Sequence, residues 1–387
     1  MSRMVRIAYI ANVRLPTEKA HGIQIMQTCA GLVRSGASVT VYVPNQGNAL
    51  TDDPFVFYGV TRIFEIRRLW CIDSRVLFWF SKPLWFWVKS ITFSWSCAHR
   101  IRSGDADIWY VRDAIIAWIS IWKRQRCVLE LHTITGRKTR LLTFIWKRLC
   151  GIVTISRGIA DAVVAAGVPE NHLRVVPDGV ALDQFFIQET QHACRRRLSL
   201  PLDEPIVVYT GHLYPWKGVE TLIAAMRLIP ETHAYIVGGT DEDSVRYQEL
   251  CKEIPNVHIV GWQAPSSIPF WLTAADALIL PNSAAFPISR LHTSPLKLFE
   301  YLAAGKPIIA SDLPSLREIV TDREVAFVPP DDPRALADAI GRVLREPDFH
   351  AMLAEHAKAL SRNFSWDARA EKILSFISST CSTTEPS

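Results

Sequence analysis

The chain of 387 residues is too long for one ordinary core and suits two α/β domains of middling size. With 49% hydrophobic and 21% charged residues it belongs to the folded globular class, which excludes a disordered chain. The net charge of +5 is unevenly spread: residues 61–150 hold 17 Lys and Arg against 6 Asp and Glu, with nine of the thirteen tryptophans. Eight cysteines are scattered singly with no Cys-x-x-Cys pair, so zinc and redox motifs find no support and a reducing compartment fits.

In chain order, the opening residues read as a first β-strand, Val5–Ala11, rather than as a signal peptide. A helix should start near Gly22 and stop at Ser35-Gly36. Further strands are expected at Ser38–Val43, Asp107–Val111, Cys127–Leu131, Gly151–Ile155 and Leu173–Val176. Between them residues 76–98 are strongly apolar and aromatic. Lys82, Pro83 and Lys89 make a poor membrane span of this stretch, and an interfacial or re-entrant helix pair is favoured over a buried core helix. Basic side chains mixed with tryptophan suit an anionic bilayer surface, and no nucleic-acid-binding pattern accompanies them.

The second half repeats the alternation, with strands expected at Pro205–Thr210, His233–Gly238, Val257–Val260, Ala277–Pro281, Pro307–Ser311 and Val325–Val328. Two sets of six strands thus make two similar domains. The division expected is a first domain over 1–183, a linker over 184–203 and a second domain over 204–363, with a last helix over 365–378 that could pack back on the first.

Two stretches carry chemistry. Gly211-His212-Leu213-Tyr214-Pro215-Trp216-Lys217-Gly218 follows a strand and opens a helix, a junction at which a diphosphate can approach backbone N–H groups and a lysine. An ordinary βα loop with a solvated lysine is the alternative. In Ser294-Pro295-Leu296-Lys297-Leu298-Phe299-Glu300, Ser294 reads as an N-cap and Pro295 as the first helical residue, which makes a second anion site. Glu300, further in, could accept hydrogen bonds from ribose hydroxyls.

Together with Tyr110-Val111-Arg112, Glu130-Leu131-His132, Ser156-Arg157-Gly158 and Val176-Pro177-Asp178-Gly179, these motifs resemble, in order, family 4 of the glycosyltransferases. That is a retaining group of the GT-B fold, two Rossmann-like domains facing each other across a cleft, and the resemblance spans residues 5–345. It implies that Lys217 binds the donor diphosphate, Glu300 the ribose and Gly22 the approach of the donor phosphates. It implies also that His132 bonds the transferred sugar and that Gly261 and Trp262 lie beside the nucleobase. Domain closure would then bring His132 and Gly22 onto the bound donor.

Two positions depart from the family pattern. His212 stands where many members have arginine, and His292 replaces the first glutamate of the Glu-x7-Glu pair. The latter makes the loop more cationic, so that Thr293, Ser294 and Lys297 share the phosphate contact. Lysine and helix start can replace a divalent metal, and neither metal nor cofactor is expected. The partners implied are a nucleotide sugar, a glycan or polyprenyl-linked acceptor and an anionic membrane surface, on the cytoplasmic face of the cell membrane. A nucleotide-sugar 2-epimerase and a non-catalytic binding subunit remain the alternatives. No Gly-x-Gly-x-x-Gly follows the first strand, which argues against a dehydrogenase.

Overall fold

The computed structural model describes residues 4–48, 50–102, 104–134 and 140–381. The chain forms two units, residues 1–177 with 366–387, and residues 178–365. It passes between them twice, at Pro177–Asp178 and at Ser365–Trp366. The stretch 184–203, expected as a linker, is folded into the second unit. Thr190 caps the helix Gln191–Arg197, and the buried Arg195 binds Asp276 at 2.7 Å and three backbone carbonyls.

In the first unit seven parallel strands are β1 (Arg6–Ile10), β2 (Ser38–Pro44), β3 (Glu65–Leu69), β4 (Ile108–Val111), β5 (Cys127–Leu131), β6 (Gly151–Thr154) and β7 (Leu173–Val175). Their order is β3-β2-β1-β4-β5-β6-β7. The central strands are buried on both faces, as crossover helices require, and so read as unbroken apolar runs. The exception is β3, which the two-sets-of-six reading missed. Its sequence is Glu-Ile-Arg-Arg-Leu, because an edge strand with charged side chains resists further pairing.

The second unit carries β8 (Ile206–Thr210), β9 (His233–Val237), β10 (Val257–Gly261), β11 (Ala277–Leu280), β12 (Ile308–Ser311) and β13 (Val325–Val328), also all parallel. Their order is β10-β9-β8-β11-β12-β13. In both sheets the chain starts centrally, winds one way and then reverses. The reversal lies between β1 and β4 in one and between β8 and β11 in the other, and ligands of doubly wound sheets bind at such strand ends.

Residues 76–98 form two helices, Arg75–Phe80 and Lys82–Arg100. Ser81 ends the first and caps the second, and Pro83 sits in the opening turn, where its missing N–H costs nothing. Lys89 is buried, with Nζ 2.9 Å from Gln46 Oε1 and over the Trp85 ring. Among the described residues no helix is long and apolar enough to cross a membrane. The last helix, Trp366–Cys381, belongs to the first unit, where it buries Ile373, Phe376 and Ile377 beside the helix Ala20–Arg34.

Candidate functional site

In the second unit three strand ends meet in a glycine-lined corner. A Cβ on Gly238, after β9, would lie 2.4 Å from the Gly211 carbonyl oxygen, after β8. The loop from Gly211 closes through a turn at Pro215–Lys217 to Gly218, whose φ is +69°. A Cβ there would lie 1.8 Å from the Pro281 oxygen, after β11, and Ser283 N–H donates to Trp216 O at 3.0 Å. Only glycine lets the loop touch the reversal point this closely.

Two lysines converge on this corner. Lys217 is buried with Nζ 3.8 Å from the Trp216 ring centroid and, among the described residues, without hydrogen bond or ion pair. Burial drops its pKa to about 7. Lys297, on the helix Leu296–Ala304, has a buried Nζ without a hydrogen-bond partner, 3.5 Å from the Tyr209 ring centroid and 3.2 Å from where a Gly211 Cβ would stand. Burial, then the Lys217 charge, holds its pKa well below the usual lysine value, though Glu300 pulls the other way. Burial raises Glu300 to about 7, against the pull of Lys297. Tyr301 fixes this helix to the strand end by accepting from Thr210 N–H at 2.8 Å. The corner therefore holds two lysine amines taken out of water without a hydrogen bond to either, and a multiply charged anion bound there would restore their protons and balance them.

The neighbouring residues fall as follows. His212 stacks on Tyr214, ring centroids 5.1 Å apart, and Tyr214 on Trp216, with Tyr209 O–H donating to the His212 carbonyl at 2.7 Å. Thr293 and Ser294 are buried ahead of the helix. Ser294 is not its cap: Pro295 occupies that position, and Ser294 Oγ accepts instead from Asp178 N–H at 3.0 Å. Burial lowers the pKa of His292 and leaves its Nδ1 buried without a partner. Gly261 ends the edge strand β10, two strands from the reversal point, and the half-exposed Trp262 follows it.

Two Asp-x-Asp pairs occur, Asp105 with Asp107 and Asp241 with Asp243, and three of their four aspartates are engaged within the fold. Asp107 binds Arg6 at 2.8 Å, Asp105 accepts from Arg102 N–H, and Asp243 belongs to a capping box with Thr240. Among the described residues no three His, Cys, Asp or Glu side chains are grouped to hold a metal.

In the first unit the site lies at the ends of β1, β4 and β5. Glu130 and His132 alternate along the chain at the end of β5 and so share a face. His132 Nε2 lies 2.6 Å from Glu130 Oε1, which also accepts from Gln24 Nε2 at 3.2 Å and from Arg369 Nη2 at 2.9 Å. Burial, then the Arg112 charge, pushes His132 down to about 4 although Glu130 opposes them. Burial alone would raise Glu130; Arg369, His132 and Arg112 hold it well below the carboxylate range. Gln24 and Arg369 were not singled out by sequence. Arg369 stands 239 residues from Glu130 and nothing local marks it.

Gly22 has a packing role. A Cβ there would lie 2.0 Å from the Tyr58 hydroxyl, which accepts from Thr17 N–H and donates to Thr17 O, each at 2.7 Å. Gly22→Ala should therefore destabilise the unit by about 1–3 kcal/mol, as overpacking does. Thermal melting without nucleotide checks this; an unchanged melt would assign the glycine to ligand approach alone.

Residues 22–184 match the family model described as Glycosyltransferase Family 4, and residues 191–360 match that of Glycosyl transferases group 1. The D-inositol 3-phosphate glycosyltransferase of Xylanimonas cellulosilytica is 30% identical over 227 residues, 55% of this chain and 53% of that protein. The putative teichuronic acid biosynthesis glycosyltransferase TuaC of Bacillus subtilis is 30% identical over 184 residues, 47% of this chain and 44% of its own. The chain spans about half the length of the curated relatives it matches. Anabaena Alr3699/HepE, solved in complex with UDP and glucose, is similar in fold at a TM-score of 0.74, with 17% identity over 97% of this chain and all of that one. With one half matched by each family model and both sheets in the doubly wound order, the chain belongs to the group 1, family 4 glycosyltransferases and has the GT-B fold.

Proposed function

We propose that the protein transfers a sugar from a nucleotide-diphosphate donor to a glycan or polyprenyl-linked acceptor at the cytoplasmic membrane face. The observation that carries this reading is the pair of buried, unbalanced lysines, Lys217 and Lys297, at the glycine corner where β8 and β11 diverge. Breaking the bond from the anomeric carbon to phosphate leaves negative charge on the departing diphosphate. Lysines already fixed in place stabilise that charge without reorganisation. This supports donor cleavage without a divalent metal. Retention follows if the acceptor hydroxyl attacks on the face the phosphate leaves, with the phosphate taking its proton. The Anabaena protein of similar fold was solved with UDP and glucose, which supports a nucleotide sugar as donor.

The acceptor side rests on the helices Arg75–Phe80 and Lys82–Arg100. Trp79 and Phe80 are more than four-fifths exposed, and Leu84, Phe86, Trp87 and Trp95 stand out beside them. Large aromatic side chains held in water among lysines and arginines suit the headgroup layer of an anionic bilayer.

The test is release of free UDP or GDP from a panel of sugar nucleotides, with and without lipid extract. Lipid-dependent release from one donor is expected. Nucleotide binding without release from any donor would sink transfer in favour of a non-catalytic binding subunit, and conversion of the donor alone would make the protein an epimerase.

A further inference from the structure

We infer that Arg369 is a positioning residue that fixes His132 as the Nε2–H tautomer, so that Nδ1 accepts a hydrogen bond from a hydroxyl of the transferred sugar. The inference rests on the transferase reading above and adds a residue and a polarity to it. Arg369 is itself held at three points within its unit. Nε donates to the Pro177 carbonyl at 3.1 Å, Nη1 to Thr28 Oγ1 at 3.3 Å and Nη2 to Glu130 Oε1 at 2.9 Å. It is 3% exposed and Glu130 is 1% exposed, so each charge depends on the other for balance.

An ionised carboxylate accepts and cannot donate. Glu130 Oε1 takes hydrogen bonds from Arg369 and Gln24, both donors, so the third contact, to His132 Nε2 at 2.6 Å, requires the proton on the imidazole. A neutral imidazole that donates from Nε2 presents a lone pair at Nδ1, and among the described residues no partner takes it. The ring stays neutral first because it is buried and then because the cations around it, Arg112 foremost, oppose a further positive charge. Glu130 faces it from its own strand, Arg112 from the end of β4, His21 and Gln24 from the helix Ala20–Arg34, and Arg369 from the last helix. Without Arg369, Glu130 would lose its counter-ion and draw a second proton onto His132. An imidazolium donates from both nitrogens, and Nδ1 could no longer accept from a hydroxyl.

Nitrogen-15 NMR of histidine-labelled protein reads the tautomer whether or not transfer is observed. In the wild type His132 should show the neutral Nε2–H form with no titration between pH 8 and 5.5. In Arg369→Gln its midpoint should rise into that range. At neutral pH kcat should fall about 10- to 100-fold, the scale on which partners orienting a histidine act, with donor KM changed less than about twofold. Arg369→Lys, which keeps the charge, should restore part of kcat and the neutral ring. A wild-type Nδ1–H tautomer would overturn the inference, and does so even where Arg369→Gln fails to fold. A variant with unchanged tautomer, titration and kcat would overturn it as well. A wild type that releases nucleotide from no donor would defeat the transferase reading alone, leaving the NMR result to decide the tautomer.

Discussion

Lys217→Ala should lower kcat/KM for the nucleotide sugar by about 100- to 1,000-fold, the usual effect of deleting one preorganised group from a developing anion. Its Nζ is already buried against Trp216 and needs no rearrangement to meet a diphosphate. A pH dependence follows. With a pKa of about 7 the amine is largely neutral above that pH when the site is empty, and a bound diphosphate restores its proton. Binding therefore takes up a proton, and affinity for UDP or GDP should weaken as pH rises from 7.5 to 9, by up to about tenfold per unit. Titration calorimetry in buffers of different ionisation enthalpy measures both quantities.

The same lysine weighs on the empty protein. Its folded pKa lies below the unfolded value, so between pH 7 and about 10 the unfolded chain binds the additional proton, and stability from this group rises with pH across that window. Lys217→Met should melt higher than the wild type at pH 7 while losing nucleotide affinity. A variant that melts lower, or that binds nucleotide with the wild-type pH profile, would refute the assignment.

Gly218→Ala should cost about 3–4 kcal/mol, because a left-handed backbone and a backbone collision each cost about 1–3 kcal/mol. The φ is +69°, and the new Cβ would press on the Pro281 carbonyl at 1.8 Å, where neither partner can swing aside. In a unit of this size that corresponds to a melting temperature about 10 °C lower. Gly36→Ala is the control: its φ is +94° but nothing lies within 4 Å of the added carbon, so only the backbone term of about 1 kcal/mol remains. Equal losses in the two variants would show that the contact with Pro281 contributes nothing.

The sequence made the buried strands plain because a parallel sheet covered on both faces needs unbroken apolar runs. Cys127–Leu131 and Val325–Val328 match their strands to the residue. The edge strand Glu65–Leu69 was hidden for the opposite reason, since its composition is that of a solvated loop. At the second-unit corner, glycine and lysine spacing along one loop pointed to Lys217, and the helix after Pro295 pointed to Lys297 and Glu300. What spacing could not show is that Lys297 lies over Tyr209 without a partner, or that Ser294 turns from its own helix to the Asp178 N–H. Those depend on which strand ends are neighbours. Arg369 was beyond reach altogether, because a charge balanced by a residue 239 positions away leaves no periodic trace.

The return of the helix Trp366–Cys381 to the first unit sets an order for biosynthesis. Residues 178–365 are continuous and can collapse as soon as they leave the ribosome, whereas the earlier-made residues 1–177 wait for a helix that is made after them. Until Trp366–Cys381 arrives, the groove along the helix Ala20–Arg34 has no cover for its apolar side chains, and Glu130 has no guanidinium opposite it. The half synthesised first is thus the half finished last, and during that interval it is the natural client for a chaperone.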